Sequence, residues 1–149
     1  LCHGDGKVIG EAVLCLALNL YFEARDQSQV GQYMVGLSVM NRVRHEHYPG
    51  TVCEVVKSAK YRKDNKNIPI RNACAYSWFC NGLSDQPQNL EAFSRAKIMA
   101  HRIYTGQVND FSEGATHYHA TWIEPPYWVE QMQTINRIDE HIFYKERDQ

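Results

Sequence analysis

The stretch LNLYFEARDQ, Leu18 to Gln27, ends an apolar helical run on a carboxylate. Upstream of it Ile9, Ala12, Val13, Leu16, Ala17 and Leu20 recur at helical spacing, which predicts a helix over 9–24. Val13, Leu16, Leu20 and Glu23 follow steps of three, four and three, so Glu23 falls on the stripe that faces the core. A carboxyl placed there loses water, which disfavours its charged form and raises its pKa. A carboxylic acid still protonated near neutral pH is what a general acid for glycosidic cleavage requires. Periodicity alone favours a plainer reading, a helix-end glutamate ion-paired with Arg25, Arg42 or Arg44.

A second helix is predicted over 30–44, with Met34, Leu37, Met40 and Val43 on one stripe and Val35 and Val39 widening it. Gly31 and Gly36 cost that helix propensity, and the expected return is close approach of a neighbouring helix. YPGT, residues 48–51, ends the segment, and Thr51 with Glu54 has the spacing of a capping box opening a short helix. The polar and basic run KSAKYRKDNKNIPIR, 57–71, reads as an exposed loop whose charges form a solvated surface or meet acidic groups on a polymer. Asn89 caps a further predicted helix to Tyr104, with Phe93, Ala96, Ala100 and Ile103 inward and Gly106 as its stop. The period then changes: ATHYHATW alternates, and TINRIDEHIFY reads as two strands around Asp139 and Glu140. Helices first and a small antiparallel sheet in the C-terminal third predict a helix-dominated α+β domain.

The 149 residues suffice for one domain, 1–149, with one core. Sixteen Lys and Arg against seventeen Asp and Glu leave a formal charge of −1, which gives no global attraction to nucleic acid or an anionic membrane. No run has the length of a membrane span and no signal peptide is recognised; the start at Leu1 fits removal of a leader or tag. Five cysteines, an odd number, do not describe a disulfide scaffold. Cys15 lies on the helical stripe and is expected to pack as a small hydrophobe, while Cys53, Cys74 and Cys80 are possible bridge partners. Zinc held by these three with His117 and His119 is the rival chemistry, but Cys74 and Cys80 stand too far apart for a zinc knuckle and no HExxH is present. Neither a nucleophile elbow nor a phosphate-binding glycine loop occurs.

YFEARDQ, followed by VGQYMVGLSVMNRV, YPGTVCEVV, CAYSWFCNGLSD, GATHYHATWIEPPYW and HIFY, closely resembles the cell-wall hydrolases of the SleB/CwlJ type, the spore-cortex lytic enzymes. The resemblance runs from Ile9 to Tyr144, and the ordered set of blocks is specific although each alone is not. It implies a lysozyme-like fold and cleavage of peptidoglycan between N-acetylmuramic acid and N-acetylglucosamine. It makes Glu23 the catalytic acid and base of a lytic transglycosylase, a reaction that needs one carboxyl and leaves a 1,6-anhydro sugar. Hydrolysis instead needs a second carboxyl, typically about 5–9.5 Å from the first. Asp26 and Glu113 are the candidates for it, with Asp85 and Glu124 in adjoining loops.

The resemblance also places Ser77 and Trp78 at the glycan groove, and Thr116, His117, Tyr118 and His119 complete the candidate substrate-binding set. Alternation puts His117 and His119 on one strand face and Tyr118 on the other. The two histidines would hydrogen-bond the sugar or set the carboxyl's pKa, or else be satisfied polar residues of a half-buried sheet. Trp78 suits a sugar face or the core equally. Ala75 and Asn81 depart from residues common in the family. The expected protein is a monomer without cofactor or metal, working at the bacterial wall as a phage endolysin or an envelope enzyme. A wall-binding module without catalysis is the remaining alternative.

Overall fold

The structure is a computed structural model that describes residues 2–148, with side chains from Gly10 onward, so Ile9 of the predicted stripe and Cys2 lie outside the described side chains. Helix α1 spans Cys2–Ala24, longer than expected at its start. Leu16, Ala17 and Leu20 on its inner face are fully buried. Helix α2, Gln29–Arg44, is capped by Ser28, whose hydroxyl accepts from the Gly31 amide at 3.1 Å. Met34, Val35, Ser38 and Val39 are fully buried, so this helix forms the centre of the core. The short α3, Val52–Val56, opens on the expected Thr51–Glu54 pair: the Thr51 hydroxyl accepts from the Glu54 amide and donates to the Glu54 carboxylate.

Helix α4, Leu90–Tyr104, starts at Asn89, whose side chain accepts from the Ala92 amide at 3.0 Å. The buried Tyr21 hydroxyl of α1 accepts from the Gln88 and Asn89 amides just ahead of it, which ties the start of α4 to α1. At the other end Gly106 has φ +74°, and the Gln107 and Gly106 amides bond back to the Arg102 and Ile103 carbonyls. This pair of hydrogen bonds is a Schellman motif, formed at the glycine stop predicted from sequence.

At Gly36, α2 packs against side chains of both α1 and α4. A Cβ there would stand 2.5 Å from Ile103 Cδ1 and 3.3 Å from Leu20 Cδ2, so the missing side chain is what lets the helices meet. Gly31 serves a different neighbour than expected: its Cβ would meet the Asp139 carboxylate in a sheet turn, not another helix.

Strands β3 (His117–Ala120), β4 (Met132–Ile138) and β5 (His141–Glu146) form an antiparallel sheet in the order β3-β5-β4. Ile138 pairs with His141 across the two-residue turn Asp139-Glu140, where Asp139 has φ +53°. The basic run 57–71 is not a plain loop. It holds a second, two-stranded sheet of β1 (Ala59–Tyr61) and β2 (Pro69–Cys74), with Ala59 opposite Cys74 and Tyr61 opposite Pro69. No helix among the described residues is long and apolar enough to cross a membrane.

The cysteine expectation is corrected. Cys15 is not a free packing residue but is bonded to Cys53, joining α1 to α3, and Cys74 is bonded to Cys80. Helical periodicity shows which face Cys15 occupies and cannot show that a cysteine 38 residues away lands against it.

Replacing Gly36 by Ala is expected to cost about 1–3 kcal/mol through overpacking, despite the better helix propensity. Trimming Ile103 to Val in the same chain removes the clashing Cδ1 and recovers part of the loss. Urea unfolding of the two single variants and the double variant checks this; additive losses would mean that Gly36 is not in contact with Ile103.

Candidate active site

Glu23 lies in the last turn of α1, one residue before the helix ends. It lines a cleft of about 570 Å³ between the end of α1 and the sheet, within the size range of small-molecule sites. The residue as a whole is half-buried, and burial of its carboxyl raises the pKa above the ordinary value. Two opposing influences moderate that rise: a hydrogen bond from the Tyr118 hydroxyl to Oε1 and the positive charge of Arg42. Among the described residues no other side chain hydrogen-bonds this carboxyl, so its second oxygen is left to the cleft.

The ordinary ion pair is not formed. Arg25 lies over the Tyr21 ring at 4.4 Å, and Arg44 reaches Asp110 at 3.9 Å. Arg42 acts on Glu23 at longer range. Its Nε donates to the Thr116 carbonyl at 2.6 Å, and its guanidinium sits over the rings of Tyr48 and Tyr76 at 5.1 and 5.3 Å. A cation clamped in this way keeps its place beside the carboxyl.

Strand β3 behaves as its alternation predicts, but the residue that meets Glu23 is Tyr118, not either histidine. Tyr118 faces the helices between Phe143, His141 and Tyr76. Burial and then the Glu23 charge push its phenol well above the usual tyrosine range, so it remains a donor. His117 and His119 face Trp128, with ring centroids 4.9 and 5.9 Å away. His119 Nδ1 donates to the Ala120 carbonyl, and its Nε2 lies in hydrogen-bond contact with the Tyr144 hydroxyl at 2.8 Å. Burial, reinforced by Arg42, lowers the His117 pKa to about 4, so that ring is neutral at physiological pH. Because β3 is an edge strand, both its faces border the cleft.

The other expected positions divide. Ser77 is exposed and lines the cleft, whereas Trp78 is 5% exposed, donates to Asn19 and stacks on Phe22 as a core residue. Thr116 is buried and acts through its carbonyl on Arg42. Asp26 is exposed at the cleft, but Glu113 belongs to a separate hollow beside His45 and Glu146. Trp122, Trp128, Glu140 and His141 are among the cleft residues that the sequence does not single out. Trp122 is 70% exposed. The crowding of aromatics in ATWIEPPYW was the available signal.

The cysteine–histidine zinc set does not exist, because Cys53, Cys74 and Cys80 are all in disulfides. One other group, His45, His47 and Glu146, brings potential ligand atoms within 4.8 Å of one another. There the His47 amide donates to His45 Nδ1, so a neutral His45 carries its proton on Nε2 and gives it to the Glu146 carboxylate at 3.0 Å. That hydrogen-bonded arrangement satisfies the group without a cation.

A native pKa above the unfolded value means that the folded state holds more protons in the window between the two. Stability then falls as pH rises through that window. Glu23→Gln is therefore expected to raise the melting temperature at pH 7–8, with the gain fading as pH drops to about 4.5, the ordinary carboxyl value. A gain independent of pH in calorimetry would contradict a desolvated carboxyl.

No curated protein matches the chain by sequence. Two solved structures share its fold. The catalytic domain of SleB from Bacillus cereus is 22% identical with a TM-score of 0.59, covering 90% of this chain and 89% of that one. The catalytic domain of the germination-specific lytic transglycosylase SleB from Bacillus anthracis is 21% identical with a TM-score of 0.61, covering 90% and 93%. The family model of the cell wall hydrolases matches residues 26–144, beginning three residues after Glu23. The match takes in most of the chain, which belongs to the cell wall hydrolase family.

Proposed function

We propose that the protein cleaves peptidoglycan glycan strands between N-acetylmuramic acid and N-acetylglucosamine as a lytic transglycosylase, with Glu23 as acid and then base. The observation that carries this reading is a desolvated carboxyl of raised pKa in an open cleft, with one oxygen held by Tyr118. The protonated carboxyl gives its proton to the glycosidic oxygen, releasing N-acetylglucosamine as the leaving group. The resulting carboxylate takes the proton of the muramic acid C6 hydroxyl, whose oxygen closes on C1. The product is a 1,6-anhydro ring, and no water is consumed.

Tyr118 and Arg42 serve the first half of that cycle, since both favour the ionised carboxyl that is left once the proton is given. Trp122 offers a flat apolar surface at the cleft for a pyranose face, with Ser77 and the two histidines supplying polar contacts. The family membership and the fold shared with a lytic transglycosylase domain support the same reaction class. Two disulfides favour an oxidising compartment, consistent with action at the wall outside the cytoplasm. Hydrolysis is the second reading, favoured by the exposed carboxylates of Asp26 and Glu140 at the same cleft. Glu113 drops out of it on position.

Digestion of purified sacculi followed by mass spectrometry of the soluble products decides between the two. Muropeptides ending in 1,6-anhydromuramic acid are expected, and reducing ends would establish hydrolysis. Glu23→Gln should lower turnover by at least about 100-fold, the usual contribution of a general acid. Full activity of that variant would remove Glu23 from the mechanism.

Tyr118→Phe deletes a hydrogen bond that lowers the Glu23 pKa, so that pKa rises further. The alkaline limb of the pH–rate profile, set by loss of the acid's proton, should move to higher pH. An unmoved limb would mean that another group sets it.

A further inference from the structure

We propose that the β1–β2 hairpin is a docking arm for the carboxylates of the stem peptides attached to the glycan strand in the cleft. This rests on the glycan-cleavage reading above and adds a second contact surface to it. Residues 57–71 carry six cations against the single anion Asp64, although the whole chain has a net charge of −1. This segment, with six of the chain's sixteen Lys and Arg, is therefore net positive while the remainder is net acidic.

Much of that charge is unneutralised. Arg62 is paired with Asp64, Lys57 faces Asp85, and the Arg71 guanidinium lies against Gly82. Lys60, Lys63 and Lys66 are exposed and, among the described residues, in no ion pair. Like charges gathered on a two-stranded sheet repel one another, and such a sheet is marginal by itself. Its base is fixed by the Cys74–Cys80 bridge, by the Ala75 amide bonded to the Ser58 carbonyl, and by the Asn72 amide bonded to the Cys80 carbonyl.

Position selects the ligand. Strand β2 ends at Cys74, and Cys74, Ala75 and Ser77 line the cleft that holds Glu23. The hairpin therefore grows directly from the cleft wall, and a six-residue strand reaches about 20 Å. The anionic groups nearest to a glycan strand lying in that cleft are those of its own peptides, which hang from muramic acid and carry free carboxylates. Each exposed lysine–carboxylate contact is weak and screened by salt, so several must act together.

The test is co-sedimentation with insoluble sacculi stripped of phosphodiester polymers by hydrofluoric acid, which reads binding without needing turnover. Wild-type binding should weaken steeply with added salt, and K60E/K63E/K66E should bind about tenfold less at low salt. The milder triple Lys→Gln variant should fall between them, which separates charge from misfolding. On peptide-free glycan strands made with an amidase, measured by affinity electrophoresis, the variants should match wild type. Equal binding of all three proteins to stripped sacculi would overturn the proposal. So would a defect seen only on sacculi that keep their phosphodiester polymers, or an equal defect on peptide-free strands. Failure of the cleavage reading shows separately, as an absence of released products whatever the binding.

Discussion

The hydrogen bond from Tyr118 to Glu23 crosses the seam between the helices and the sheet, and the site exists because that seam is closed. Other polar ties hold it at both ends. Asn41 donates to the Ser112 hydroxyl and the Ala115 carbonyl, and Arg42 to the Thr116 carbonyl. At the far end Asp139 accepts from both the amide and the hydroxyl of Ser28. The same serine caps α2, so one residue starts the central helix and anchors the β4–β5 turn. Each bond is directional, which fixes the position of the sheet over the end of α1 more tightly than apolar contact alone.

Within that frame the carboxyl is balanced between opposing effects. Burial favours its protonated form, while Tyr118 and Arg42 favour the ionised one. In the proposed cycle the group first gives and then takes a proton, and such a balance serves it, because strong bias either way slows one half. Arg42 supplies its share without contacting the carboxyl, through its clamp between two tyrosines and a backbone carbonyl. His117 stays neutral in the same field, so Arg42 is the cation that acts on Glu23.

Much of the helical framework was legible because its signals are local. Asn89, Thr51 and Gly106 act on amides or carbonyls within one turn, and each sits where the spacing placed it. The β1–β2 hairpin escaped notice because lysine, asparagine and aspartate have low strand propensity and its strands face solvent on most positions. Trp78 was undecided because an aromatic suits a groove and a core alike, and only its bond to Asn19 and its stack on Phe22 settle it in the core. The bonding of Cys15 is hidden from local pattern for a related reason, since a disulfide depends on where a distant residue lands.

The sequence by itself determined the helix with Glu23 on its inner stripe, the buried second helix, and an alternating strand with Tyr118 opposite His117 and His119. These follow from periods of 3.6 and 2, which are properties of the backbone. Tertiary structure decided which face of that strand meets the helices. Glu23 and Tyr118 are 95 residues apart, and no local pattern relates them. Their meeting depends on closure of the seam, which desolvates the carboxyl and supplies its only hydroxyl partner among the described residues in the same step.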